Sequence, residues 1–156
     1  MNTHQIVRQF RSEDQDQART LILEGLKEHF GKIRYDLNPD LNDIAASYLK
    51  DNSSDFFVIE FDGQIVATSG VLFERPGEAR MVRVSVGKAN RRQGLSTALL
   101  SAVESLYRSR GVSVLWAETN LDWVDAIGFY TSMGFREVIR NHEGLRLRRE
   151  INHLAD

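Results

Sequence analysis

The apolar residues Leu95, Ala98, Leu99, Ala102, Val103 and Leu106 recur at three- and four-residue steps and so fall on one face of a helix. Arg108 and Arg110 follow where a helix carries its negative end, and Gly111 marks the stop. An earlier stripe, Ala18, Leu21, Ile22, Leu26 and Phe30, predicts a second amphipathic helix that ends at Gly31. Its start has the form of a capping box, Ser12 with Gln15 three residues on, in which each side chain satisfies a free amide of the first turn. Beyond the irregular stretch 31–40, with its Asn38-Pro39 break, Leu41 to Asp51 predicts a short helix, and Asp122 to Met133 predicts another.

Between these helices the period changes from 3.6 to 2. Gln5 to Phe10 alternates as a short strand, and the β-rich runs DFFVIEF and QIVATSGVLF are separated by Asp62-Gly63, a two-residue hairpin turn whose positions tolerate positive φ. Arg75-Pro76-Gly77 turns the chain again into Ala79 to Val86, so the second to fourth strands predict an antiparallel meander. Val112 to Ala117 is a further strand, and the helix before it allows it to lie parallel to Ala79 to Val86 as a βαβ crossover. Gly134-Phe135 opens a last pair of strands turning near His142 to Gly144. The outline is one α/β domain on a mixed sheet.

Composition narrows the chemistry. A chain of 156 residues, 42% hydrophobic and 27% charged, has the make-up of a globular domain, and no run approaches the ~20 apolar residues of a membrane span. A net charge of −2 gives no general attraction to nucleic acid or to an acidic membrane. The absence of cysteine excludes disulfides, thiolate nucleophiles and zinc-thiolate sites, and fits a reducing compartment. The opening residues lack a basic segment followed by an apolar one, so cytoplasm is the expected location. His4, His29, His142 and His153 stand at no metal-ligand spacing, and no metal is expected.

The chemically loaded stretch lies where the strand ending at Val86 gives way to the helix starting near Leu95. A helix start presents unpaired amides and about half a positive charge. Arg91-Arg92-Gln93-Gly94-Leu95-Ser96 adds two cations, a glycine that lets backbone approach an anion, and a hydroxyl. A diphosphate suits this better than a lone carboxylate, yet neither a G-x-G-x-x-G fingerprint nor a G-x-x-x-x-G-K-[ST] loop is present. The alternative is a solvated turn with a glycine corner.

These six residues resemble the Q/R-x-x-G-x-G/A motif of the GNAT superfamily of acyl-CoA-dependent N-acetyltransferases. Ala126-Ile127-Gly128-Phe129-Tyr130 and Met133-Gly134-Phe135 are similar to its second signature, A-x-x-(F/L)-Y-x-x-x-G-F, in the right order and separation. The likeness runs from Asp55 to Glu137. It departs at Ser96, where the family prefers glycine or alanine, and at Trp123, three residues before Ala126, where many members carry an asparagine or glutamine.

What the resemblance implies is an α+β fold with a mixed, mostly antiparallel sheet of about seven strands, a central parallel splay and about four helices. It implies acetyl-CoA as co-substrate, with Val84, Ser85 and Val86 holding the thioester arm, Arg91, Arg92, Gln93, Gly94, Leu95, Ser96 and Thr97 cradling the diphosphate, and Asn120 or Trp123 supplying an outer contact. The Val84 amide is the expected oxyanion donor. Tyr130 is the expected general acid, with an ordinary pKa near ~10, or else a core tyrosine beside Phe129. For the base, Glu118 ranks ahead of Glu74 and Asp122, each of which is otherwise a surface carboxylate. The loop Lys32 to Asp40, whose Asp36 and Asp40 would attract a cationic amine, and the turn at His142-Glu143 would border the acceptor.

Two other classes compete with the enzyme. One is a sensor or docking module that binds acyl-CoA without turnover, against which the retained Tyr130 argues. The other is nucleic-acid binding through Arg91, Arg92, Arg146, Arg148 and Arg149, against which the near-neutral balance argues. The acceptor that the resemblance implies is a small-molecule or protein amine. An edge strand is open to pairing with a second copy in a homodimer.

Overall fold

The computed structural model describes residues 5–31 and 37–151. His4, Asp36 and His153 lie outside them.

Seven strands form one sheet: β1 (Gln5–Gln9), β2 (Ser54–Phe61), β3 (Gln64–Arg75), β4 (Glu78–Val86), β5 (Val114–Thr119), β6 (Arg136–Asn141) and β7 (Gly144–Glu150). Their order is β1-β2-β3-β4-β5-β7-β6. All neighbours are antiparallel except β4 and β5, which run parallel. The Asp62-Gly63 turn takes positive φ at both residues, 49° and 82°, as the dipeptide predicts. Among the described residues the α-helices are α1 (Gln15–Phe30), α2 (Ile44–Tyr48), α3 (Leu95–Ser109) and α4 (Val124–Ser132).

The sheet is covered on two sides by two apolar clusters. On one side Leu95, Leu99, Leu100, Val103 and Tyr107 of α3 pack with Ile59, Val71, Met81 and Leu115 of the sheet, and Tyr130 and Met133 complete the layer. On the other, Ala18, Ile22 and Leu23 of α1 and Ile44 and Tyr48 of α2 pack with Phe56 and Val58. Alternation along β2 sends Phe57 and Ile59 to the first cluster and Phe56 and Val58 to the second, which is why that strand is apolar on both faces.

Two helix starts differ from the sequence expectation. The reach-back role expected of Gln15 belongs to Asp14, whose Oδ2 accepts from the Arg11 amide at 2.8 Å and from Arg8 at 2.7 Å, while Ser12 opens a 3-10 turn. Gln15 instead ties α1 to the second helix: its side-chain amide donates to the Leu41 carbonyl at 2.8 Å, and its Oε1 accepts from the Ile44 amide at 2.9 Å. The helix expected over Leu41 to Asp51 is confined to Ile44–Tyr48, because Pro39–Asn42 forms a 3-10 turn and Asp43 caps the helix, accepting from the Ala46 amide at 3.0 Å. Asp43→Ala is expected to lower stability by about 1 kcal/mol, read as the denaturation midpoint, with little change in the slope.

Candidate active site

β4 and β5 pair only from Glu78–Val114 to Arg80–Trp116, and beyond that point the strands part. The parting has a local cause in β4. Its register against β3 slips between the Thr68–Ser85 and Gly70–Val82 pairs, and Arg83, inside the slip, takes a φ of 51°, a conformation that an L residue adopts only under constraint. The constraint is visible. The Arg83 guanidinium donates to both oxygens of Asp40 at 2.7 and 3.0 Å, Tyr48 donates its hydroxyl to the same carboxylate at 2.6 Å, and Thr68 donates to the Arg83 carbonyl at 2.9 Å. Asp40 is therefore committed to Arg83 and Tyr48, which hold its carboxyl below the usual range against the opposing effect of burial. It is not the free acidic group expected to attract an amine.

The parted strands open a cleft of about 1130 Å³. Val84, Ser85 and Val86 form one wall, Glu118 and Thr119 the opposite one, and Tyr130 lies on α4 between them. At one end Arg91, Arg92, Gly94, Leu95 and Ser96 close the cleft. Gln93 and Thr97 are exposed on the same turn without facing it, and Asn120 lines an adjoining cleft of about 490 Å³. Asp122 is exposed and lines neither.

The start of α3 is built to receive an anion. Gly94 takes φ 78° at the helix start, and a methyl group placed on it would meet nothing within 4 Å, so the backbone there faces open space. Arg92 also takes positive φ, 65°. Leu95, 3% exposed, anchors the turn to the core. This arrangement fits the diphosphate of coenzyme A in charge and in the absence of a side chain at the point of closest approach.

Tyr130 is 8% exposed, edge-on to Phe129 and Phe135 at 5.2 and 5.5 Å, and has no hydrogen-bond partner among the described residues. Burial pushes its hydroxyl well above the ordinary tyrosine value expected from the sequence, so the proton stays on at neutral pH. Glu118 and Glu74 alternate with Arg80 and Arg146 in a ring of ion pairs at the mouth of the splay, the Arg80–Glu74 and Arg146–Glu118 contacts being 2.9 and 3.1 Å. Arg146 also lies over the Trp116 ring at 4.2 Å. Arg148 pairs with Glu150 and Arg149 with Glu104, so the basic strip of the sequence is neutralised by carboxylates.

Three participants had no sequence signal. Glu28 and His29, in the last turn of α1, reach the cleft: Glu28 pairs with Arg91, and His29 stacks on Trp123 at 4.1 Å, with Phe30 edge-on to the same indole at 5.4 Å. Gly25 makes this approach feasible, since a methyl group there would stand 3.0 Å from the Ser85 hydroxyl. Thr119 has a buried hydroxyl without a partner among the described residues, and it borders both clefts. Trp123 thus packs against α1 at the start of α4.

Residues 15–135 match the acetyltransferase (GNAT) family profile. The chain is 38% identical to N-acetyltransferase 8 of Rattus norvegicus over 106 residues, 65% of this chain and 48% of that protein. It is 30% identical to N-acetyltransferase 8F1 of Mus musculus over 127 residues, 76% of this chain and 54% of that one. The chain spans about half the length of the curated relatives it matches. Among solved structures it is similar to an acetyltransferase of the GNAT family from Staphylococcus aureus Mu50, with a TM-score of 0.84 and 22% identity over 95% of this chain and 99% of that one. The PaiA N-acetyltransferase of Thermoplasma acidophilum, solved in complex with coenzyme A, gives a TM-score of 0.82 at 12% identity over 96% and 99% of the two chains. A profile match over most of the chain, on a sheet that parts between β4 and β5 with a glycine turn at the start of α3, establishes that the chain belongs to the GNAT family of acetyltransferases.

Proposed function

We propose that the protein transfers an acetyl group from acetyl-CoA directly to an amine held in the same cleft. The observation that carries this reading is the convergence in one cleft of the parted strand Val84–Val86, the glycine turn of α3 and the buried phenol of Tyr130. Arg91, Arg92, Gln93 and the first-turn amides of α3 from Gly94 to Thr97 bind the diphosphate, and the main chain of Val84, Ser85 and Val86 holds the pantetheine arm. Acetyl-CoA supplies a thioester carbonyl, which the Val84 amide polarises as negative charge develops on its oxygen. Tyr130 keeps its proton until the sulphur leaves and then donates it. Thr119 offers its unpartnered hydroxyl to the arm or to the arriving amine.

Glu118 serves as base through water. Both of its oxygens already accept from guanidinium groups, and their remaining lone pairs hold a water that takes the ammonium proton. The acceptor is an amine whose contacts come from the charged ring and the adjoining cleft. The fold does not select it: structural neighbours include an aminoglycoside 6′-N-acetyltransferase and a ribosomal-protein-S18-alanine N-acetyltransferase. Among the described residues no helix is long and apolar enough to cross a membrane. The cysteine-free composition supports a cytoplasmic location, and the exposed Val138 and Ile139 on the edge strand β6 support pairing with a second copy.

Titration with acetyl-CoA followed by thiol release over a panel of amines tests the reading. Ser96→Glu, which places a carboxylate in the first turn of α3, is expected to weaken acetyl-CoA binding about tenfold by repelling the diphosphate and competing for its amides. Binding with no acceptor-dependent thiol release would instead support the non-catalytic module.

A further inference from the structure

Glu28 stands in the last turn of α1, where a helix end is already negative and a carboxylate is disfavoured. Its compensation comes from 63 residues away. Arg91 donates through both terminal nitrogens to the two oxygens of Glu28, at 2.9 and 2.6 Å, and through Nε to the Val86 carbonyl at 3.3 Å. The pair is bidentate, the geometry by which a guanidinium also grips phosphate oxygens. Every nitrogen of the Arg91 guanidinium is thereby engaged within the protein. Asp125, on the first turn of α4, adds a second negative charge to the surroundings of Arg91.

An anion arriving at the start of α3 thus meets a cradle whose first cation is already held. Glu28, Arg91 and Trp123 line the same cleft, and the neighbouring His29 and Phe30 rest on Trp123, so the last turn of α1 lies between the α3 loop and the start of α4. We propose that Glu28 is an internal competitor for the donor's diphosphate: its carboxylate occupies the Arg91 guanidinium in the free protein, and the diphosphate takes that guanidinium over when the donor binds. The inference rests on reading Arg91–Ser96 as the diphosphate cradle.

The competition has a defined consequence for selectivity. A diphosphate, with more charge and more acceptor oxygens than one carboxylate, displaces Glu28, whereas a pantetheine fragment that lacks it leaves the Arg91–Glu28 pair intact. Donor binding then also frees the last turn of α1 from its ion pair to the loop before α3. Charge-assisted pairing supports the assignment, since Arg91 holds the Glu28 carboxyl below its usual range.

Calorimetric titration of coenzyme A and of pantetheine into the wild-type protein and into Glu28→Gln tests it. Both partners are about two-fifths exposed, 43% for Arg91 and 42% for Glu28, so the effect is that of a surface pair. Glu28→Gln is expected to bind coenzyme A about two- to fivefold more tightly at low salt and pantetheine unchanged. In an Arg91→Gln background the same change is expected to do nothing, because the contested cation is gone. Glu28→Ala, compared by thermal melting, guards against an effect of the glutamine itself. Coenzyme A bound by Glu28→Gln and Glu28→Ala as by wild type, or more weakly, would overturn the proposal while leaving the cradle in place. Failure of the wild-type protein to bind coenzyme A would overturn both.

Discussion

Tyr130→Phe is expected to lower the turnover of acetyl transfer about 100-fold while leaving acetyl-CoA affinity within about twofold. The separation follows from where the hydroxyl sits. The ring is packed edge-on between Phe129 and Phe135, and a phenylalanine keeps all of that contact. The hydroxyl itself has no partner among the described residues and faces the cleft, so the variant loses little but the donor of one proton. Burial holds that proton on the phenol through the physiological range, which suits a group that must be protonated when the thiolate departs. Because the packed ring is retained and the lost hydroxyl borders the open cleft, the variant is expected to melt close to the wild-type temperature. Lower turnover in a protein of unchanged stability excludes unfolding as the cause. Full turnover in the variant would remove Tyr130 from the chemistry and leave it as a core residue.

The two clusters on either side of the sheet were legible because they rest on local rules. The stripe from Leu95 to Leu106 and the Asp62-Gly63 turn each follow from a few adjacent residues, and both are realised as expected. The crossover from β4 through α3 to β5 followed from element order alone, and the parallel pair is there. What could not be read is the pairing of charges. Arg146 meets Glu74 across 72 residues, Arg91 meets Glu28 across 63, and Arg83 meets Asp40 across 43. No spacing rule connects such partners, because the sheet order decides them. The same reason explains the capping error: Ser12 and Gln15 fit a local motif, but Gln15 satisfies Leu41 and Ile44 on a distant turn, and tertiary context decided the outcome.

Charge pairing also changes how the site is understood. Read along the chain, Arg80, Arg83, Arg91 and Arg146 would make the cleft strongly basic, and Asp40, Glu74 and Glu118 would be free acids. In the fold each of these arginines is matched to a carboxylate, so the cleft is lined by paired charges rather than by free cations and free acids. Arg92 differs, for it has no ion-pair partner among the described residues. Under the proposed competition it is the cation that would meet an incoming diphosphate first, with Arg91 following once Glu28 lets go.

Asp55→Ala is expected to cost about 3 kcal/mol of stability, a fall of roughly 6–12 °C in melting temperature for a domain of this size. Asp55 is 7% exposed at the edge of β2, and its Oδ2 accepts from the Tyr107 hydroxyl at 2.6 Å and from Arg110 at 2.5 Å. Tyr107 is fully buried in α3, so removing the carboxylate strands its hydroxyl in the core and leaves Arg110 at the helix end without its ion pair. Asp55→Asn keeps an acceptor for the phenol and loses only the charge, and a cost of about 1 kcal/mol is expected. Adding Tyr107→Phe to Asp55→Ala removes the stranded hydroxyl and should restore about 1 kcal/mol. These contacts fasten the far end of the helix whose first turn is the proposed diphosphate cradle. The damage is therefore to stability, and below the melting transition Asp55→Ala should still bind acetyl-CoA with near wild-type affinity. Loss of binding at a temperature where the variant remains folded would mean that the C-terminal end of α3 sets the position of its first turn.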